Sequence, residues 1–170
     1  RDPSAWYHLV QVWDTTQATN TNRVRMWLNG VEISDVQSGV TIAWPGQNSV
    51  GPWNDGQNRN QRLGFADYFN GVNNKFEGYM AEFHNIDGQA LSPTDFGEYD
   101  NNGVWIPKKV SGVSYGTLGF YLDFSDPSNI GADRSGNGNN FTPTGFELTT
   151  SSSTNYDWMS DSPTNNSLTY

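Results

Sequence analysis

Two neighbouring segments near the front of the chain, Ala5–Asp14 and Arg23–Ile33, carry the strongest strand pattern. In the second segment Val24, Met26 and Leu28 alternate with basic or bulkier residues. A period of two is expected of a half-buried β-strand. The loop between the segments is polar apart from one alanine, so it cannot continue a core strand.

Asn29-Gly30 divides the second segment into the two arms of a hairpin. A type I′ turn needs positive φ at both of its central residues, and Asn-Gly between two strand patterns is the strongest short signal for it. The chain is therefore predicted to be all-β.

Five further strands are predicted downstream. The longest is Phe76–Ile86, and the others are Val40–Ala43, Arg62–Phe65, Val104–Ile106 and Leu118–Phe124.

One short helix is predicted near residues 92–98. Ser92 suits the N-cap, Pro93 the first helical position and Asp95 the positive end of the helix. Gly97 limits the helix to one or two turns.

Composition agrees with a β-sandwich or barrel with long polar loops, because 14% of residues are aromatic, only 16% are charged and 18 are glycine. The net charge of −9 argues against nucleic-acid binding. No apolar run is long enough to span a bilayer. The absence of cysteine favours a bacterial or viral source over a secreted eukaryotic one.

Two motifs resemble those of laminin-G-like, concanavalin A-like jelly rolls. Trp6–Val10 with Arg25–Val31 is similar to the family's early strand pair, and Phe76–Ile86 with Gln89–Ser92 is similar to its later signature. The resemblance covers roughly residues 5–96.

The continuation from Asp95 to Ser125 resembles modules of marine phage (cyanophage) structural proteins. The combined resemblance implies an antiparallel β-sandwich with Trp6 and Leu28 in its core. It implies a sandwich over residues 1–124 that lacks its first strands upstream. Residues 125–170 would be a loop-rich extension or the start of a following module.

The implied role is a non-catalytic structural or adhesion module of a virion, of the tail-fibre or capsid-decoration type, with surface glycans as its ligand. The expected location is the virion surface or the extracellular space. Two alternatives are a purely architectural module, which assembles with itself or with other virion subunits, and a secreted bacterial carbohydrate-binding domain.

No catalytic residues are predicted. Glu77 and Glu82 are five positions apart, so on one strand they would face opposite sides. Asp95 and Glu98 fall on the short helix, where they would complement its dipole.

The sequence predicts a carbohydrate site on the long loop that follows the predicted strand Val40–Ala43. An aromatic platform suits the face of a sugar ring, and planar amides and carboxylates suit its hydroxyls. The predicted residues are Trp44, Trp53, Asn54, Asp55 and Asn58. The alternative is that both tryptophans cap the open end of the sandwich.

Calcium is the usual partner of such jelly rolls, and Asp133, Asn137 and Asn139 are its oxygen-rich candidates. Only one carboxylate stands in that run, so a tight turn is the favoured interpretation. His8 is expected to donate a structural hydrogen bond, and His84 is expected to face solvent.

Overall fold

A computed structural model describes residues 5–34, 42–51, 61–66, 74–146 and 157 of the chain. The regular secondary structure of these residues is mostly strand, with almost no helix, which confirms the all-β prediction. Within them, no helix reaches the length and apolar character that crossing a membrane requires.

The predicted opening hairpin is present. Strand β1 (Leu9–Trp13) pairs antiparallel with β2 (Val24–Leu28), and β2 pairs antiparallel with β3 (Val31–Glu32). Asn29 and Gly30 join β2 to β3 with φ values of 49° and 78°. Both values are positive, as a type I′ turn requires.

This first sheet buries only part of its apolar surface. Val10 and Trp27, which are partners in the ladder, are each 9% exposed. Leu28 is half-buried, but Trp6 is 43% exposed. The expectation that Trp6 belongs to the core is therefore wrong. Its ring lines a pocket instead.

Three two-stranded antiparallel sheets complete the strands of the described residues. They pair β4 (Phe65–Ala66) with β5 (Asn74–Lys75), β6 (Phe83–Asn85) with β9 (Phe120–Leu122), and β7 (Gly97–Tyr99) with β8 (Trp105–Pro107).

The long strand predicted over Phe76–Ile86 is wrong, because only its end, β6, forms a strand. Glu82 has a φ of 53°, which lies outside the β region, so a continuous strand cannot run through Glu82 into β6. Phe124, at the end of the predicted strand Leu118–Phe124, has the same φ, and β9 stops at Leu122. The predicted strand Val40–Ala43 lies partly outside the described residues, and its last two residues form no strand.

The predicted helix is a single 3₁₀ turn, Pro93–Asp95. The Asp95 carboxylate accepts hydrogen bonds from the backbone N–H of Ser92 at 2.7 Å and from its hydroxyl at 2.8 Å. The turn ends earlier than predicted because residues from Gly97 onward join β7.

A second apolar cluster lies around β9. Phe120 and Leu122 are almost fully buried, and Ile130 and Ala132 are buried with them. The ring of Phe141 lies 4.7 Å from that of Phe120. Residues beyond 124 thus pack on β9, whereas the division of the chain at 124/125 stays a prediction.

Candidate functional site

A pocket of about 130 Å³ lies where the segment before β1 meets the β2–β3 turn, β6 with the residues before it, Phe96, and β8 with the residues after it. Aromatic and aliphatic side chains form much of its wall, and convergent polar groups complete it. The lining residues used below are Trp6, His8, Asn29, Glu82, His84, Trp105 and Lys108.

The indole of Trp105 packs directly against the backbone of two glycines, Gly30 and Gly97. A Cβ at Gly97 would lie 2.6 Å from the indole, and a Cβ at Gly30 would also overlap it. Tyr99 meets the same ring edge-on, with 4.9 Å between ring centroids. Glycine at these two positions therefore admits the tryptophan to the pocket wall.

His8 is held by this tryptophan. The Trp105 indole N–H donates a 3.0 Å hydrogen bond to Nδ1 of His8. His8 was expected to have a structural hydrogen bond, and it has one, but its ring accepts the bond instead of donating it. The backbone N–H of His8 also donates to Asn29 Oδ1 at 2.8 Å, which ties the pocket to the hairpin turn.

The expectation that His84 faces solvent is wrong, since its side chain is only 10% exposed. Its ring stacks on Tyr121 with 4.3 Å between centroids and 7° between planes. Nδ1 lies 2.7 Å from the hydroxyl of Tyr115 in a hydrogen bond. β6 brings His84 to this position because β6 pairs with β9, which carries Tyr121.

Glu82 supplies the negative charge of the pocket wall. The hydroxyl of Tyr121 donates a short hydrogen bond to Glu82 Oε2, and that oxygen lies 4.0 Å from Nε2 of His84. The left-handed backbone of Glu82 turns the chain here, which is a costly conformation for a residue other than glycine. Such strain is concentrated at functional sites.

The pKa values of the two histidines in the pocket wall, and of two tyrosines behind His84, are shifted away from charge. Burial lowers the pKa of His84 to about 4, with a further contribution from His8, and burial also lowers the pKa of His8. Burial, with the charges of Glu82 and Asp133, raises the pKa of Tyr115 to about 12. The pKa of Tyr121 rises too, through burial and its bond to Glu82. Shifted groups that share a cleft are a signal of a functional site.

The predicted carbohydrate loop is described only in part. Trp44 is half-buried and does not line the pocket. Its neighbour Pro45 accepts a 2.8 Å hydrogen bond from Arg23 through its carbonyl. The remaining predicted residues lie outside the described residues: Trp53, Asn54, Asp55 and Asn58. A sugar site on this loop stays a prediction.

The candidate calcium loop forms a tightly bonded turn. The Asp133 carboxylate accepts bonds from the backbone N–H groups of Tyr121, Ser135 and Asn139 and from the Ser135 hydroxyl, all within 2.9 Å. The side-chain amides of Asn137 and Asn139 donate to backbone carbonyls before β9. These bonds agree with the turn interpretation, and calcium stays a prediction. Across the described residues, no three His, Asp or Glu side chains are grouped as metal ligands.

The residues of the pocket were missed as a site because they are distant in sequence. His8 and Trp105 are 97 positions apart. One local signal of the pocket is present in the sequence: a histidine stands two positions after an aromatic or acidic residue. It occurs in Trp6-Tyr-His8 and in Glu82-Phe-His84.

Comparison with protein-family models, with curated protein sequences and with solved structures found no match.

Proposed function

We propose that this chain is a non-catalytic carbohydrate-binding module of the adhesion type, and that its small sheets belong to an antiparallel sandwich of the concanavalin A-like kind. The pocket is the observation that carries the proposal. It joins the tryptophan rings of Trp6 and Trp105 with the planar polar groups of Asn29, Glu82 and two histidines. Aromatic walls with a few convergent polar groups are the usual composition of a small-ligand site.

A binding role fits these groups better than catalysis. The pocket has one carboxylate among its lining residues, Glu82, whereas glycoside hydrolysis ordinarily uses two. His84 and His8 are held in their neutral forms at pH 7. They can orient hydroxyl groups by hydrogen bonding without taking a net charge.

The location on a virion surface rests on the sequence resemblance to phage structural modules. Under this proposal the module attaches a particle to glycans on a cell surface.

Trp6 provides the test of glycan binding at this pocket. Its ring is 43% exposed, so Trp6→Ala removes stacking area with little loss of core packing. On a glycan array we expect the wild-type chain to bind and Trp6→Ala to lose about tenfold in affinity, the equivalent of about 1.4 kcal/mol.

The matched control is Trp13→Ala. Trp13 is 41% exposed on β1 and does not line the pocket. Its replacement is expected to leave glycan binding unchanged. An array without any bound glycan contradicts the proposed function. Binding that Trp6→Ala leaves intact and Trp53→Ala removes assigns the site to the predicted loop.

A purely architectural module is the second candidate, favoured by apolar side chains on the first sheet. Leu9 and Val31 are 58% and 62% exposed, and Ile33 follows at 44%. Burial of such a surface in a copy of the chain would stabilise an assembly. Sedimentation velocity distinguishes the two, since an adhesion module without self-assembly stays monomeric at micromolar concentration.

A further inference from the structure

The size of the pocket limits what it can hold. Its volume of about 130 Å³ is below the roughly 300–1,000 Å³ of pockets that enclose drug-sized ligands. The walls that surround it come from five separate parts of the chain. A space of this size suits one ring with its substituents, and a polysaccharide chain would have to lie outside it.

The charges around the pocket are balanced. Glu82 and Lys108 line it with opposite signs, and Tyr7, His8 and His84 are the other titratable groups of its wall. Tyr115 and Tyr121 stand behind His84, one bonded to its Nδ1 and the other stacked on its ring. No excess of one sign faces a ligand from the described lining residues.

The same surroundings disfavour both kinds of charge. Burial lowers the pKa of both histidines, so the environment opposes a positive group even next to Glu82. Burial, together with the charge of Glu82, also raises the pKa of Tyr115 and Tyr121 behind His84, so a negative group is disfavoured on that side of the pocket as well. A charged ligand entering this space would lose hydration that the walls do not replace.

From this geometry we infer that the pocket recognises a single uncharged sugar residue at the end of a glycan, with one ring face against Trp6 and its hydroxyls towards Asn29 and the histidines. The inference rests on the proposed function and specifies its ligand. Acidic sugars, such as uronic and sialic acids, are disfavoured by Glu82 and by the apolar walls, since Lys108, the one cation in the described lining, is already balanced by Glu82. Amino sugars with a free ammonium group are disfavoured because the pocket would bury that charge, and the same burial keeps the two histidines neutral.

The first experiment compares ligands by titration calorimetry on the full chain at pH 7. The probes are methyl glycosides of neutral hexoses and N-acetylhexosamines, the matching uronic acids and N-acetylneuraminic acid, and neutral oligosaccharides of two to four residues. We expect a neutral monosaccharide to bind at least about tenfold more tightly than its uronic acid. Lengthening a chain that ends in the preferred sugar should change affinity less than about threefold.

The second experiment uses Lys108→Met, which removes the positive charge from the lining and keeps an unbranched stem. Affinity for the neutral sugar is expected to stay within about twofold, and to be insensitive to salt between about 50 and 500 mM. Trp6→Ala should lose binding, with Trp13→Ala as the control.

Several results would overturn the inference while leaving carbohydrate binding in place. They are tighter binding of an acidic sugar, loss of binding in Lys108→Met, affinity that rises steadily with chain length, and glycan binding that is indifferent to Trp6. If no probe binds and the glycan array is also blank, the proposed function fails together with the inference.

Discussion

The imidazole of His84 contacts the rings of Phe96 and Tyr121 and shares a hydrogen bond with the Tyr115 hydroxyl. Burial, with a further contribution from His8, lowers its pKa to about 4 from the ordinary value of 6.5. The unfolded chain therefore takes up this proton at a higher pH than the folded chain does.

Acid is expected to destabilise the fold through His84. The contribution of neutral His84 to the free energy of unfolding is fully present above about pH 6.5. It falls as the pH drops towards about 4, by up to roughly 3 kcal/mol. Urea unfolding at about pH 7.5 and 4.5 measures the loss. His84→Phe, which keeps an aromatic ring beside Tyr121 but cannot titrate, should lose less on acidification, whereas the other titrating groups contribute equally to both proteins. Equal losses in both would contradict the assignment to His84.

Among the structural elements, the loop from Asp133 to Asn140 is organised by one carboxylate. Burial acts to raise the pKa of Asp133, but the bonds from Tyr121, Ser135 and Asn139 outweigh burial, and the pKa is lowered. One of these bonds comes from the backbone of β9, so the loop and the strand stabilise each other.

Asp133→Asn is expected to destabilise this loop by at least about 2 kcal/mol, because an amide cannot accept all four bonds and presents an N–H₂ group to donors. Hydrogen exchange at the Tyr121 amide should accelerate accordingly. Asp126→Asn is the control: Asp126 also accepts bonds in a turn, but its side chain is 41% exposed and water can replace them. Unchanged exchange at Tyr121 in Asp133→Asn would contradict this account.

The sequence predicted those turns correctly in which a few consecutive residues determine the backbone conformation. Asn29-Gly30 fixes a turn through its own φ preferences, and Ser92 to Asp95 forms its turn through bonds within four residues. The predicted strand over Phe76–Ile86 is interrupted at Glu82, which adopts a left-handed backbone and whose side chain is bonded by Tyr121, 39 positions later. A periodic pattern contains no information about such a partner.

At the scale of the whole molecule, the same limitation explains why the pocket was not predicted. Its walls are assembled from the segment before β1, the hairpin turn, β6 with the residues before it, Phe96, and β8 with the residues after it. The residue types were visible in sequence, but their meeting depends on how the small sheets are placed. Composition and strand pattern were sufficient for the all-β class alone.

The packing around β9 predicts that residues on both sides of position 124 unfold together. Ile130 is 8% exposed, so Ile130→Ala should cost about 2–4 kcal/mol and lower the midpoint of a single thermal transition. Val50→Ala, at a site that is 77% exposed, should change stability by less than about 0.5 kcal/mol. Differential scanning calorimetry makes the comparison. Two transitions, with only one shifted by Ile130→Ala, would show instead that a separate unit begins after residue 124.

The bond between Trp105 and His8 also fixes where a proton can reside. Since the indole N–H occupies Nδ1, the neutral imidazole must hold its own hydrogen on Nε2. A second proton would put two donors face to face, and the contact would have to open. Protonation of His8 at Nδ1 would therefore displace the Trp105 indole from its position against Gly30 and Gly97. Because this indole forms part of the pocket wall, the shape of the pocket depends on the protonation of that one nitrogen.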